Sequence, residues 1–303
     1  MSFERIRHRL ESGRPLVVDA DNAASLRARG VELDVPGALG QLLRERSGQV
    51  SAHYRAEVAS QVDVLTALTA DTTPRALAEV GMQHRAAALT GLSLDLAFEA
   101  AAEQTRPIAV AGVLGSDMVG PVASDRLETE LAEHAERLHA AAAELIIARG
   151  QGSRFGLLCA VSAANRTRVP TWAVVEHDPE AQSSSLTGEL AQELSNRGAS
   201  VVLYEVPSVE VGLTELSNGR AALAAAGLKA GVLLAASASA VRGFAEHSTD
   251  LAGWVAHALD LAEAGARVIG GGAGTTESHT RTLSAALGAL HPSSPPAGLG
   301  GAC

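Results

Sequence analysis

The sequence has few of the residues that build disulfide-linked or nucleic-acid-binding proteins. Its 303 residues include only 2 cysteines, Cys159 and Cys303, too few for a disulfide framework. Lys229 is the only lysine, and 24 basic residues stand against 34 acidic ones, giving a net charge of -10. The sequence has no run of Lys or Arg residues that could bind along the phosphate backbone of a nucleic acid. We therefore expect no nucleic-acid partner and a reducing, cytoplasmic location.

Long apolar segments are also missing. The first residues are charged where a signal peptide needs an apolar segment of roughly 7 to 15 residues. The most apolar stretch, residues 221–241, is mostly alanine, contains Lys229, and falls short of the roughly 18 strongly apolar residues of a membrane span. We expect neither export nor a membrane partner. Because 47% of residues are hydrophobic but only 3% are aromatic, the core should consist largely of Ala-rich helices.

Short β-branched runs alternate with long Ala/Leu/Glu stretches along the whole chain, which indicates parallel βαβ units. The fold class predicted is α/β, a single (β/α)8 TIM barrel over residues 1–291, followed by a flexible Pro/Gly/Ser-rich C-terminal tail over residues 292–303. Helices are predicted over residues 74–104 and from residue 127 directly into strand four. Strands are predicted near residues 15–19, 62–69, 107–113, 144–148, 171–176, 200–205, 231–235 and 267–271.

Four segments resemble motifs of the homocysteine S-methyltransferase family. Residues 268–276, Val-Ile-Gly-Gly-Gly-Ala-Gly-Thr-Thr, are similar to its last-strand signature Gly-Gly-Cys-Cys-Gly-Thr-Thr. Residues 18–22 resemble its opening Leu-Asp-Gly-Gly turn, residues 62–69 its Ala-Asp-Val-Ile-Thr-Thr-Asn-Thr strand, and residues 111–115 its Ala-Gly-Ser-Ile-Gly segment. The resemblance covers residues 14–290 and implies a barrel of this family.

The family's zinc ligands are not matched. The resemblance implies a cysteine after strand six and an adjacent pair after strand eight, which bind zinc and hold a substrate thiol as thiolate. Here the pair is Gly272-Ala273, and strand six ends in Tyr204-Glu205. Since the chain has 2 cysteines, one subunit cannot supply three thiolates. We expect no zinc site and no other metal.

Charged residues stand at predicted strand ends, where a barrel of this kind has its active site. Glu205 is the candidate general base, Asp21 and Asp117 are placed towards a cation, and Arg149 towards a carboxylate. The alternative is that these charges pair with one another, Glu205 with Arg149 for example, or with solvent at an open rim.

Five further residues are candidate substrate-binding groups. Asp19 either binds an amino group or fixes the turn after strand one. Tyr204 offers a ring face to a cation, although it and its glutamate neighbour must point to opposite faces of the strand. Gly271 and Gly272, with Thr275, either hold a phosphate or carboxylate on backbone N–H groups or form a turn that needs positive φ.

Three functions follow from these residues. The first is a repurposed, zinc-independent enzyme for an amino-acid-like or sulfonium-bearing small molecule, which moves a methyl group from S-methylmethionine or S-adenosylmethionine to a non-thiol acceptor. The second is a non-catalytic binding or partner subunit. The third is a lyase, hydrolase or isomerase on the same barrel. No other cofactor is expected, and a homo-oligomer is left open. Schiff-base chemistry is not expected, because Lys229 precedes strand seven.

Overall fold

The computed structural model describes residues 2–33, 35–115, 123–150, 152–177, 185–236 and 250–290. Eight parallel strands form one sheet in the order β1-β8-β7-β6-β5-β4-β3-β2. A bridge between Val18 and Val64 joins the two outer members, so the sheet closes into a barrel. The strands are Leu16–Val17 (β1), Val64–Ala67 (β2), Ala109–Leu114 (β3), Leu145–Arg149 (β4), Thr171–Glu176 (β5), Ala199–Val206 (β6), Lys229–Leu234 (β7) and Val268–Gly271 (β8).

Helices surround the barrel. Within the described residues they are Ser2–Ser12 (α1), Asn22–Ala28 (α2), Ala38–Glu45 (α3), Ser47–Ala59 (α4), Pro74–Ala78 (α5), Ala86–Ala102 (α6), Ser124–Ala140 (α7), Arg154–Arg166 (α8), Gly188–Asn196 (α9), Val209–Ala226 (α10), Leu251–Glu263 (α11) and Glu277–Leu290 (α12). Many begin at a Ser, Thr or Asp whose side chain accepts a backbone N–H of the first turn, which fixes the start of the helix. These residues are Asp21, Thr73, Ser153, Thr187, Ser208 and Asp250.

Strand side chains alternate between two apolar layers. One layer fills the barrel and includes Trp172, Val174 and Leu203, together with Ile6 and Leu10 of α1. The other layer lies between the strands and the surrounding helices. Since α1 contributes to the inner layer at the N-terminal ends of the strands, the opposite, C-terminal end is left for a site.

The predicted strands are confirmed in number and order, and β5 has the predicted bounds. The single helix predicted over residues 74–104 is wrong. Its first part, α5, ends at Ala78, Gly81 follows with a φ of 70°, and a short 3₁₀ turn, Gln83–Arg85, precedes α6. Helix α7 ends at Ala140, because Ala142 takes a φ of 63° before β4. The predicted tail, residues 292–303, lies outside the described residues.

Among the described residues, no helix combines the length and the apolar character needed to cross a lipid bilayer.

Two helical glycines with different surroundings give a test of packing between β6 and α10. A Cβ on Gly219 would come within 2.0 Å of the Tyr204 hydroxyl, whereas a Cβ on Gly91 of α6 meets nothing within 4 Å. We expect Gly91→Ala to stabilise the protein by about 0.5–1 kcal/mol, because alanine favours a helix. We expect Gly219→Ala to destabilise it by roughly 1–3 kcal/mol through overpacking. Urea unfolding measures both.

The double variant Gly219→Ala/Tyr204→Phe is the control, because it removes the oxygen that the new methyl group would meet. It should recover most of the lost stability. If Gly219→Ala is as stabilising as Gly91→Ala, the close packing of Tyr204 on α10 is contradicted.

Candidate functional site

A cavity of about 340 Å³ lies at the C-terminal ends of the strands. It is of the size of a small-ligand pocket and stands where barrels of this class have their active sites. Of the predicted site residues, it is lined by Asp19, Asp21, Arg149, Glu205, Gly271 and Gly272. Tyr204 and Thr275 do not line it, and Asp117 lies outside the described residues.

An ion pair stands in this cavity. Arg149 at the end of β4 pairs through Nη2 with Oε2 of Glu205 on β6, and the two side chains are 21% and 22% exposed. Both point into the barrel because they follow the inner-layer residues Ile147 and Leu203 by two positions. The alternative that these two charges pair with each other is confirmed. Glu205 is thus held by a cation rather than standing alone as a base.

A second glutamate, which the sequence analysis missed, lies at the same height along the strands as Glu205. Glu176 ends β5 between the strands of the ion pair, and it is in register with Glu205. Alternation places it on the inner face, two residues after Val174. The predicted end of this strand at residue 176, combined with the period of two, was the signal that could have found it.

The prediction of Tyr204 as a binding residue is wrong. Its side chain is 1% exposed and belongs to the outer apolar layer, among residues that face the helices. Its hydroxyl has no hydrogen-bond partner in the described structure. Burial raises the pKa of Tyr204, and the charge of Glu215 raises it further. The physical reason is that successive side chains of a strand point to opposite faces. Because Glu205 faces the cavity, Tyr204 points outward to the helices.

The glycine-rich turn after β8 holds a carboxylate of the protein itself, that of Asp21. Gly274 N–H donates to Asp21 Oδ2 at 3.1 Å, while Ala23 and Ala24 N–H donate to Oδ1 at 2.9 and 3.2 Å. Asp21 is therefore the N-cap of α2. It also connects the segment after β1 to the turn after β8, which lies near the other end of the chain. A ligand cation would have to compete with three backbone donors for it.

The backbone N–H groups of the same turn that could bind an anionic ligand are used within the protein. Gly271 N–H donates to Asp19 O at 3.3 Å, and Gly272 N–H donates to Leu234 O at 2.9 Å. Thr275 is fully buried, and its hydroxyl accepts from Asp21 N–H at 3.0 Å and donates to Gly272 O at 2.7 Å. Thr275 lies away from the cavity, so the structure does not bring it to the predicted site. Gly271 and Gly272 line the cavity, but their N–H groups already donate to the protein, and their role in substrate binding stays a prediction.

The need for glycine in this turn is largely one of space. A Cβ on Gly271 would lie 2.1 Å from the Thr275 hydroxyl and 2.9 Å from the Cα of Ala20. The positive φ expected in the turn occurs at Gly274, at 80°. The glycines thus let β8 approach β1 closely enough to complete the barrel.

A buried polar chain forms the opposite wall of the cavity. Thr66 donates from its amide to Asp19 Oδ2 at 2.9 Å and from its hydroxyl to both carboxyl oxygens at 2.8 and 2.9 Å. Asn22 donates to the Thr66 hydroxyl at 2.7 Å and is itself bonded to His53 Nε2. Asp19 therefore connects the end of β1 to Thr66 of β2. Its predicted role in binding an amino group stays a prediction.

Burial shifts the pKa values of two side chains in this polar chain, Asp19 and His53. Asp19 is 2% exposed, and burial, followed by the charge of Glu57, raises its pKa well above the ordinary value. His53 is fully buried on α4, and burial, helped by Arg29, lowers its pKa to about 4. His53 is thus neutral at physiological pH, and its Nε2 donates to the Asn22 oxygen when its other ring nitrogen is unprotonated.

Two histidines near the strand ends have structural partners. His279 Nδ1 accepts from Thr276 N–H at 3.1 Å, which caps the start of α12, and its ring contacts Trp254 edge-on at 5.1 Å between centroids. His177 after β5 bonds through Nδ1 to Glu215 at 3.1 Å. In the part of the chain described, no three His, Cys, Asp or Glu side chains are grouped so that they could bind a metal ion.

The role of Asp21 as a tie predicts a loss of stability on substitution. Asp21→Ala removes the cap of α2 and the bond to Gly274, so the free energy of unfolding should fall by roughly 1–3 kcal/mol in urea. Asp250→Ala, which removes a cap bond to a single N–H, that of Gly253, is the matched control and should cost about 1 kcal/mol. If Asp21→Ala unfolds like wild type but loses ligand affinity, Asp21 acts on the ligand instead.

Solved structures share this fold. The metallated form of the homocysteine methyltransferase MmuM from Escherichia coli matches with a TM-score of 0.76 at 18% identity, covering 93% of this chain and 99% of that chain. Its apo form matches with a TM-score of 0.67 at 19% identity, covering 90% and 95%. The 3-dehydroquinate dehydratase from Geobacillus kaustophilus HTA426 matches with a TM-score of 0.55 at 13% identity, covering 91% and 92%.

The sequence itself gives the family. No curated protein matches the chain. The family model described as homocysteine S-methyltransferase matches residues 16–287, from the start of β1 into α12. This match spans all eight strands, including the closing turn after β8. The chain belongs to the homocysteine S-methyltransferase family.

Proposed function

We propose that this protein is a zinc-independent enzyme of its family that binds an amino-acid-like or sulfonium-bearing small molecule. In this proposal it moves a methyl group from a sulfonium donor, such as S-methylmethionine or S-adenosylmethionine, to an acceptor other than a thiol. The observation that carries the proposal is the ion pair of Arg149 and Glu205 inside the cavity.

An ion pair in a cavity matches a ligand that carries both charges. Arg149 and Glu205 are each about one-fifth exposed, so a ligand can reach them without unfolding the wall. A carboxylate on the ligand would bond to the guanidinium, and an ammonium or sulfonium group would lie against the Glu205 carboxylate. The zwitterionic end of an amino acid satisfies both halves of the pair. A ligand with a single charge would pair with only one of these two side chains and would leave the other without a partner from the ligand.

The remaining wall suits the uncharged part of such a ligand. Apolar side chains around the cavity are those of Val18, Leu39, Leu68, Val113, Ile147, Leu203 and Leu233. They can contact methylene, thioether and methyl groups without forming hydrogen bonds. With a volume of about 340 Å³ the cavity lies at the small end of ligand sites, which favours an amino-acid-sized molecule.

A sulfonium donor supports chemistry at such a site. The acceptor attacks the methyl carbon, the carbon–sulfur bond breaks, and its electron pair stays on sulfur, which leaves as a neutral thioether. The donor is already activated, so the protein has to align donor and acceptor and take up the acceptor's proton.

The donor set at the family's zinc positions does not fit zinc. A Cβ at Gly272 would lie 3.0 Å from backbone atoms of Leu233, Leu234 and Ala235, so a thiol side chain would be crowded there. Ala273 has only a methyl group, and Glu205 is paired with Arg149. Cys159 is far from these positions in the chain's fold, on α8, with Sγ 3.9 Å from Glu128. These features support a reaction without zinc.

Substitution of the ion pair tests ligand binding. S-Methylmethionine, S-adenosylmethionine, homocysteine and other amino acids are titrated by calorimetry and thermal shift into wild type, Arg149→Gln and Glu205→Gln. We expect at least one of these compounds to stabilise wild type and its affinity to fall about tenfold or more in each variant, because each leaves one ligand charge unpaired.

The exposed pair of Arg55 and Glu103 provides the control, since its side chains are 50% and 47% exposed. Arg55→Gln and Glu103→Gln should bind like wild type. Failure of every compound to stabilise wild type would overturn the proposed enzyme. Equal losses in the control variants would show that the effect is one of stability.

A second prediction concerns zinc. Metal analysis of the purified protein should find far less than one zinc ion per chain, and a chelator should leave ligand affinity unchanged. Stoichiometric zinc whose removal abolishes ligand binding would contradict a zinc-independent reaction.

A further inference from the structure

A line of hydrogen bonds runs from the buried side of helix α4 to the cavity wall. His53 on α4 is fully buried and bonds through Nε2 to Oδ1 of Asn22 at the start of α2. Asn22 Nδ2 donates to the Thr66 hydroxyl at 2.7 Å, and this hydroxyl donates to Asp19 Oδ2 at 2.8 Å. Asp19 lines the cavity, so this line of bonds, the His53–Asp19 chain, connects the cavity to a side chain that lies behind its wall.

All bonds of the His53–Asp19 chain point the same way. The Thr66 hydroxyl has a single hydrogen, which it donates to Asp19, so its oxygen accepts from Asn22. The Asn22 amide nitrogen also faces the Thr66 carbonyl oxygen at 3.4 Å, which can only accept. The amide oxygen of Asn22 is therefore turned to His53, and Nε2 donates to it. Each group thus donates to the next, and the donation ends on the Asp19 carboxyl.

His53 begins this chain at a cost to stability. With the proton on Nε2, its Nδ1 is an acceptor, and this buried atom has no hydrogen-bond partner in the described part of the chain. A buried histidine with an unsatisfied nitrogen is less favourable than an apolar side chain of similar size. Packing alone therefore does not account for His53. Its bond to Asn22 is the contribution that an apolar residue could not make.

At the other end, the chain fixes a carboxyl group that a ligand can reach. Thr66 donates its amide to Asp19 Oδ2 at 2.9 Å and its hydroxyl to both carboxyl oxygens. Burial raises the pKa of Asp19, and these bonds from Thr66 oppose the rise. They orient the carboxyl in its neutral and its charged form, because both forms keep an accepting oxygen. Oδ1 has a further lone pair that a ligand in the cavity can use.

We propose that His53 is a positioning residue for ligand binding, which acts through Asn22 and Thr66 to fix the Asp19 carboxyl on the cavity wall. Asp19 contacts the ligand, and His53 acts on it through the chain. Because hydrogen bonds in a row polarise one another, loss of the first bond weakens the last. The role in ligand binding rests on the proposed function, whereas the effect of the chain on Asp19 does not.

His134 on α7 provides a matched control. Like His53 it is buried, its Nδ1 has no partner among the described atoms, and burial lowers its pKa to about 4. Its Nε2 bonds to the carbonyl oxygen of Thr69 at 3.0 Å, so it is not part of the chain to Asp19. We expect His134→Leu and His53→Leu to change stability to a similar extent. Only His53→Leu should change the Asp19 carboxyl.

Carboxyl ¹³C NMR of the ligand-free protein tests the chain, with the Asp19 signal assigned by its loss in Asp19→Asn. In His53→Leu the pKa of Asp19 should rise further, because Thr66 donates less strongly to the charged carboxyl. In His53→Gln it should stay at the wild-type value, since a glutamine amide can donate to Asn22 in place of Nε2. Asn22→Ala breaks the chain one bond later and should act like His53→Leu. If one of these two variants does not fold, the other decides the result.

Ligand affinity is the second readout, measured with the compounds titrated against the ion-pair variants. The affinity should fall about three- to tenfold in His53→Leu and Asn22→Ala, and it should be unchanged in His53→Gln and His134→Leu.

Three results would count against these proposals. An Asp19 titration that is unchanged in His53→Leu and Asn22→Ala, or that shifts equally in His134→Leu, would overturn the chain. A ligand that binds equally well to wild type and to both chain variants would overturn the role in binding. Absence of ligand binding with the Asp19 response intact would overturn the proposed function alone.

Discussion

Closure of the barrel between β8 and β1 is the constraint on which the rest of the structure depends. Here the backbone of Gly271 lies so close to Ala20 that a Cβ would be 2.9 Å from its Cα. Asp21 then joins the start of α2 to Gly274 across the whole length of the chain. Because this joint holds β1 in place, it also positions Asp19 against Thr66 on one side and the glycine turn on the other. The glycine-rich motif after β8, which carries the family resemblance, therefore has a structural role in closing the barrel.

The cavity that this closure creates has its charges divided between two walls. On one wall the cation of Arg149 and the carboxylate of Glu205 are paired and partly exposed. On the other wall Asp19 forms no salt bridge within the described residues, and burial raises its pKa. A partly exposed ion pair can exchange partners with a ligand at small cost, whereas ionising a buried acid costs several kcal/mol unless the charge is paired.

The sequence was sufficient for the barrel and for half of the site. Strand periodicity and order predicted all eight strands, and the strand-end rule found Arg149 and Glu205. It failed for Tyr204, because Tyr204 and Glu205 are adjacent on one strand and only one of them can face the cavity. It did not show that Thr275 and Gly271 are hydrogen-bonded to Asp21 and Asp19, because these partners lie at the other end of the chain. Local patterns contain no information on such partners.

His53 and Glu57 of α4 were missed for a different reason. In the sequence of α4, His53 and Glu57 look like ordinary exposed helix residues, since both types are common on surfaces. Only packing of α4 behind the junction of β1 and β2 makes them fully buried. A glutamate placed there costs more than an apolar residue of similar size, so stability alone does not explain it. Its burial raises the pKa of Glu57 to about 7, an effect that no local sequence pattern predicts.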